Sequence, residues 1–251
     1  MDLNGKVALV TGAASGMGLL FSRRFAEAGG RVGLCDVNEE AAVAAAKEIG
    51  ENALPVVCDV RDYDAVCAAR DKILAAFGRI DVAVNFAGGT AVRVLKVDRS
   101  ACPEFPDVPI EVYDWGIDVN LKGQSYVAHA VMKVMRDQQS GVIVNIGSIT
   151  GMEGDGYGMD YPTAKSGVMF GLTKSLAQFG AKYGVRCVCV SPGPVLTRAA
   201  MAKMKTLLGR AAEPQEIVDL IFFIISDKGQ FINGENIMID GGRNAMKREK
   251  Q

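Results

Sequence analysis

Hydrophobic positions along the chain fall into two alternating kinds of segment. Short runs at residues 6–11, 31–35, 54–58, 81–85, 142–146, 185–191 and 236–239 are rich in β-branched residues and almost continuously apolar. Between them, residues 17–28, 39–49, 63–77, 112–138 and 161–183 carry their apolar positions at helical spacing. Continuous apolar strands are those buried on both faces, so this alternation predicts a parallel sheet covered by helices. Right-handed crossovers then wind the chain into a doubly wound, Rossmann-like α/β sheet with helices on both faces. Its ligand crevice is expected beyond the carboxyl ends of the strands. No linker, repeat or low-complexity tract interrupts the pattern, which predicts a single domain over residues 1–251.

Two stretches break the alternation. Residues 90–110 contain Cys102-Pro103, Phe105-Pro106 and Pro109, and read as an irregular surface excursion. Residues 193–212 lie between a Pro-Gly-Pro turn and a helix starting near Pro214. Both follow strand ends and are expected to border the crevice.

Composition narrows the function classes. A formal net charge of −1 gives no general attraction to nucleic acid or an anionic membrane. No apolar run approaches the ~20 residues of a membrane span. Residues 1–6 lead straight into the first strand without the basic start of a signal peptide, so a soluble, cytoplasmic protein is expected. The six cysteines form no C-x-x-C pair and read as reduced thiols, mostly in the core; Cys187 and Cys189 are expected on one strand face. With His129 the sole imidazole, no metal site is expected.

The first strand runs into Thr11-Gly12-Ala13-Ala14-Ser15-Gly16-Met17-Gly18 and then a helix. Glycines there let the backbone approach a pyrophosphate, which the helix N-terminus attracts with free N–H groups and its dipole. Asp36 closes the second strand, where a carboxylate can accept both ribose hydroxyls of NAD and repel the 2′-phosphate of NADP. Ser15, Val37 and Asn38 provide no cation for that phosphate. Asp59 and Val60 follow the third strand and could hold the adenine edge; Asn85-Phe86-Ala87-Gly88 follows the fourth, where small residues permit close approach. Tyr161 and Lys165 stand four apart on one helix face, with Pro162 confining Tyr161 to the first turn. An ammonium beside a phenol favours the phenolate, and Ser148, after the fifth strand, could bond the same substrate oxygen.

Together with Asn120, Pro192-Gly193 and the terminal Asp240-Gly241-Gly242, these motifs occur in the order found in the short-chain dehydrogenase/reductase family, which the chain resembles over nearly its whole length. The resemblance implies that Tyr161 is the acid/base, that Ser148 orients the substrate oxygen, and that Lys165 binds the nicotinamide ribose and tunes Tyr161. It implies that Asn120 supports a water-linked proton path and that residues 192–197, with Pro192, Gly193, Val195 and Thr197, hold the nicotinamide amide. Three departures stand out. Phe86 replaces the second Asn of the usual N-N-A-G. Gly147 replaces the Ser often found before the catalytic one. The 90–110 excursion is longer, and the segment after Thr197 shorter, than is typical.

The reading that follows is an NAD-dependent oxidoreductase moving a hydride between its cofactor and a small-molecule secondary alcohol or ketone. A 3-oxoacyl-acyl-carrier-protein reductase is the alternative within enzymes, against which Asp36 argues; a nucleotide-binding regulator on the same fold is the alternative outside them. Met152, Tyr157, Met159, Val195, Leu196, Met201 and Met204 could build a steroid-accepting wall, whereas Arg93, Arg99, Glu153 and Asp155 could bind polyol or sugar hydroxyls. The two long helices are apolar on more than one face, and the resemblance implies that they pair across a two-fold axis. The 234–242 end would make a second contact, and a homotetramer is expected, with a dimer as the alternative.

Overall fold

The computed structural model describes residues 1–246. The expected domain span of 1–251 therefore ends in five residues that lie outside the described ones. Seven strands, β1 (Val7–Thr11), β2 (Arg31–Asp36), β3 (Ala53–Val57), β4 (Val82–Asn85), β5 (Gly141–Ile146), β6 (Val185–Pro192) and β7 (Asn236–Ile239), form one sheet in the order β3-β2-β1-β4-β5-β6-β7. Every pairing is parallel. The order reverses between β1 and β4, which opens the crevice at their carboxyl ends.

Strand alternation explains why both faces are apolar. Val7 and Leu9 of β1 pack into one core, with Val66, Ala69 and Ile73 of α3 (Tyr63–Phe77). Ala8 and Val10 pack into the other, with Phe21 and Phe25 of α1 (Gly16–Glu27) and Ala46 of α2 (Glu39–Ile49). Cys187 and Cys189 share a sheet face, as their spacing predicts.

Residues 90–110 are more ordered than their prolines suggest. They hold a short helix, α4 (Ala91–Val94), a left-handed Lys96, and a 3-10 turn at Phe105–Asp107 capped by Glu104. The helix expected over 112–138 begins two residues earlier, as α5 (Ile110–Ile117), and continues through a π-turn (Asp118–Lys122) into α6 (Gly123–Gln138). After α7 (Thr150–Glu153), the helix expected over 161–183 starts at Asp160. It too is divided, into α8 (Asp160–Ser166), a π-turn (Gly167–Leu172), α9 (Thr173–Gly180) and a 3-10 turn. Residues 193–212 hold a 3-10 turn at Ala199–Lys203 and fold back through a bridge from Val195 to Ala212. Then α10 (Pro214–Ile225) starts with a capping box of Glu213 and Glu216.

Candidate active site

The Gly-rich turn is shaped by contacts that only glycine permits. Gly12 has φ +61°, and a Cβ there would sit 2.8 Å from the Ala87 nitrogen. A Cβ on Gly18 would collide with the Gly12 carbonyl, so α1 starts directly against the turn. Gly16 (φ +53°) has open space above it, and Ser15, the N-cap of α1, makes no side-chain cap bond. The first N–H groups of α1 thus face a cleft of about 430 Å³. Gly12, Ser15, Gly16, Met17, Gly18, Asp36, Asp59, Val60, Ala87 and Gly88 all line it, as do Val94 and Trp115. Asn85 instead lies beneath, donating to Asn145 Oδ1 at 3.0 Å, while its own Oδ1 is buried without a partner.

Both oxygens of Asp36 already accept main-chain N–H groups, Oδ2 from Ala14 at 3.0 Å and Oδ1 from Asn38 at 3.0 Å. The carboxylate is thereby locked at the end of β2 and tied to the Gly-rich turn. Asn38, not Asp36, caps α2. Asp59 is less available than its position suggests: Arg61 grips it with Nε at 3.0 Å and Nη2 at 2.6 Å. The bonds from Arg61 hold the Asp59 carboxyl below its ordinary pKa. Arg61 lines the same cleft and was not visible as a site residue in the sequence, because its pairing depends on the turn after β3.

The second group gathers at the ends of β4 and β5. Lys165 is buried, and its Nζ donates to the Ile146 carbonyl at 2.8 Å while lying 5.5 Å from the centre of the Tyr161 ring. Burial pulls its pKa down to about 8. The Tyr161 phenol is pushed above its ordinary value by desolvation, opposed by the Ser148 hydroxyl and by the charges of Arg198 and Arg93. Sequence spacing pointed to Lys165 as the cation acting on the phenol; the charges that lower it in the structure are instead those of these two arginines from the flanking segments. Ser148 is fixed by Thr150, whose N–H donates to Ser148 Oγ at 3.2 Å.

Asn120 sits in the π-turn. Its Nδ2 donates to the carbonyls of Gly89 and Gly116, both at 2.9 Å, and its Oδ1 accepts the Gly89 N–H at 3.0 Å. Both donors are spent on backbone, so the side chain clamps the Gly88–Gly89 turn to the helix. At Gly88 a Cβ would lie 2.7 Å from Asn120 Oδ1 and 3.5 Å from Lys165 Nζ, which places the two groups of residues side by side. At the end of β6, the Pro192 carbonyl accepts the Ile149 N–H at 2.9 Å, and Gly193 packs against Asp240. Val195 is buried and Thr197 exposed at the mouth; Pro192, Gly193, Val195 and Thr197 belong to this rim and not to the 430 Å³ cleft.

A family model described as short chain dehydrogenase matches residues 6–207. The protein belongs to the short-chain dehydrogenase/reductase family. It is 37% identical over 253 residues to D-threitol dehydrogenase of Mycolicibacterium smegmatis, covering 96% of this chain and 93% of that one. It is 34% identical over 256 residues to the 3-oxoacyl-[acyl-carrier-protein] reductase FabG of Thermotoga maritima, covering 96% and 99%. The crystal structure of gox2181 superposes with a TM-score of 0.87 at 30% identity, covering 98% of each chain. Like its relatives, this short-chain dehydrogenase acts on a CH–OH or ketone group, with a nicotinamide cofactor.

Two departures from the usual motifs have structural reasons in this member of the family. Phe86 turns into the core beside α1, its ring 6.1 Å from Phe21, which itself stacks on Phe222 at 5.2 Å. It replaces a polar link with apolar packing. Gly147 leaves room for Ser191, since a Cβ there would strike the Ser191 hydroxyl that donates to Asn236 at 2.6 Å. Among the described residues, no three of His, Cys, Asp and Glu gather closely enough to hold a metal ion. None of the described helices is long and apolar enough to cross a membrane.

Proposed function

We propose that the protein is an NAD(H)-dependent dehydrogenase that interconverts a secondary alcohol and its ketone, with Tyr161 as acid/base. The observation carrying this reading is the convergence of Lys165 and Asn120 on Gly88, at the lip of the cleft that the Gly-rich turn and α1 define. A dinucleotide fits this cradle: Gly12, Ser15, Gly16, Met17 and Gly18 would take the pyrophosphate. Asp36 would take the adenosine ribose, and Asp59 and Val60 the adenine side. Ala87 and Gly88, with Asn85 beneath, would lie behind the cofactor, and Pro192, Gly193, Val195 and Thr197 would flank its nicotinamide amide. When bound, the nicotinamide ring supplies or accepts the hydride.

Oxidation then moves the hydroxyl proton of the substrate to Tyr161 Oη as its carbon gives up the hydride; reduction returns it. Ser148 Oγ holds that oxygen in both states. Lys165, anchored on Ile146, binds the nicotinamide ribose and favours the phenolate when charged, and Asn120 positions the turn that carries Gly88. Tyr161→Phe is expected to keep the fold and NADH binding and lose nearly all turnover. Retention of most of the wild-type kcat on an accepted alcohol would refute the role of Tyr161.

Cofactor choice rests on Asp36. A 2′-phosphate would set like charges a few ångströms apart and forfeit ribose hydrogen bonds, together about 3 kcal/mol, or roughly a hundredfold preference for NAD(H). The cation that lines the cleft, Arg61, is bound to Asp59. Comparison of kcat/KM for both cofactors tests this, and a preference for NADPH would overturn it. Identity to FabG supports the acyl-carrier-protein reductase reading; Asp36 weighs against it. We further read the chain as one domain, assembled as a homotetramer. Its six unpaired thiols suit a reducing compartment, the cytoplasm. Polyols, sugars and hydroxysteroids are the first neutral substrates to screen.

A further inference from the structure

The turn after β7 reaches back over the substrate side of the sheet. Asp240 folds the chain on itself, its Oδ1 accepting the Gly242 N–H at 2.9 Å and its Oδ2 the Asn244 N–H at 2.7 Å. A Cβ on Gly241 would lie 3.2 Å from Thr206, and one on Gly242 2.9 Å from Leu207. The Leu208 N–H donates to the Gly241 carbonyl at 3.1 Å. The turn therefore presses directly on the segment that follows β6.

Arg243 leaves this turn and joins two further parts of the mouth. Its Nη1 donates to the Lys205 carbonyl at 3.0 Å. Its Nη2 donates to Glu153 Oε2 at 3.1 Å, with Nε 2.8 Å from Oε1. Glu153 closes α7, the helix whose first residue, Thr150, fixes Ser148 through its N–H. On its other side α7 lies against the helix of Tyr161 and Lys165, where a Cβ on Gly151 would stand 3.0 Å from the Ser166 nitrogen. One guanidinium thus spans the support of Ser148 and the wall that follows β6. The Ala199–Lys203 turn of that wall buries no residue of its own, so little else holds it. Both ionic partners are part-exposed, and the pair adds little to stability by itself. What it supplies is geometry, because a planar, forked head group holds carboxylate and carbonyl in fixed directions.

We propose that Arg243 is a positioning residue of the substrate site, a latch that holds residues 199–208 against α7 and so fixes the spacing of two walls of the mouth. The latch stands on these contacts alone; its effect on turnover rests on the catalytic reading of Tyr161 and Ser148.

Limited trypsin cleavage after Lys203 and Lys205, both exposed, reads the latch without any substrate. Arg243→Met and Glu153→Gln are each expected to speed those cuts about fivefold or more, as the segment opens locally. Arg243→Lys, which keeps the charge but not the fork, is expected to fall between them and wild type. Kinetics with NAD⁺ and the secondary alcohol that the wild-type protein oxidises best read the consequence. In Arg243→Met, KM for that alcohol is expected to rise about tenfold while kcat stays within about threefold of wild type. NADH affinity, followed by fluorescence, is expected to stay unchanged, because Glu153, Lys205 and Arg243 do not line the cofactor cleft. Cleavage at the wild-type rate would overturn the proposal, as would faster cleavage with an unchanged KM. Weaker NADH binding in both Arg243→Met and Glu153→Gln would mark a general loss of the fold and overturn it too. Faster cleavage in a protein that oxidises none of the polyols, sugars or hydroxysteroids would uphold the latch and count against the catalytic reading alone.

Discussion

Lys165 shows how a buried cation carries a stability cost. Burial brings its pKa down from 10.5 to about 8, because a charged ammonium is held away from water. An unfolded chain therefore binds more protons than the folded one between about pH 8 and 10.5. The cost is full below pH 8 and fades as pH rises through that window, so wild-type stability should increase with pH there. Lys165→Met removes the charge, and the Ile146 carbonyl keeps its bond from Gln124 at 3.0 Å. At pH 7 the variant is expected to be more stable by about 1–3 kcal/mol while losing activity. Urea titrations of both proteins from pH 7 to 10 check this; an advantage that does not shrink with pH would be inconsistent with a charged, desolvated lysine. Tyr161 gives a second test. Desolvation raises its phenol, so alcohol oxidation should climb with pH beyond neutrality as the base form fills. The charges of Arg93 and Arg198 oppose that rise, and their removal is expected to move the rising limb of kcat/KM to higher pH, measured on a neutral alcohol. An unmoved limb would show that they do not act on Tyr161.

Elements place these residues through close approaches that tolerate little change. Gly12→Ala combines a φ of +61° with a Cβ 2.8 Å from the Ala87 nitrogen, so β1 and the turn after β4 would have to separate. It is expected to destabilise the protein by about 1–3 kcal/mol and weaken NADH binding more than tenfold. Wild-type affinity by fluorescence titration would argue against so tight a contact. The strands were legible because parallel strands buried on both faces write continuous apolar runs, and the Gly-rich turn because glycine is spaced for contact. Tyr161, Lys165 and Ser148 were legible as motifs. The π-turn was not. Its widening at residues 118–122 follows from packing, with Asn120 clamping Gly89 and Gly116, and leaves the apolar spacing nearly unchanged. Nor could spacing show that Arg61 closes on Asp59, or that the charges of Arg93 and Arg198, far apart in sequence, both act on the Tyr161 phenol. Those pairings exist only once the strand order is set.

At the scale of the whole molecule, two surfaces remain apolar in the isolated chain. Phe170 and Phe179 are exposed along the helix that starts at Tyr161's end, and Phe179 packs beside Tyr183, ring centres 5.5 Å apart, with the Lys182 ammonium 5.4 Å from its ring centre. At the far end of the sheet, β7 has an open edge, its residues are all half-buried, and Phe231 just before it is fully exposed. An unpaired strand edge flanked by an exposed aromatic invites association unless it is covered. Two separate patches, each related to itself by a two-fold axis, generate a tetramer with two kinds of interface, whereas one patch alone stops at a dimer. The two can be dissected. Phe170→Asp/Phe179→Asp places like charges across the helix interface, and Phe231→Asp does so at the β7 end. Each variant is expected to fall to a dimer, and the combination to a monomer, in light scattering at micromolar concentration. A wild-type chain that is a stable monomer under those conditions would rule out the tetramer. A tetramer that survives Phe231→Asp would place its second contact elsewhere.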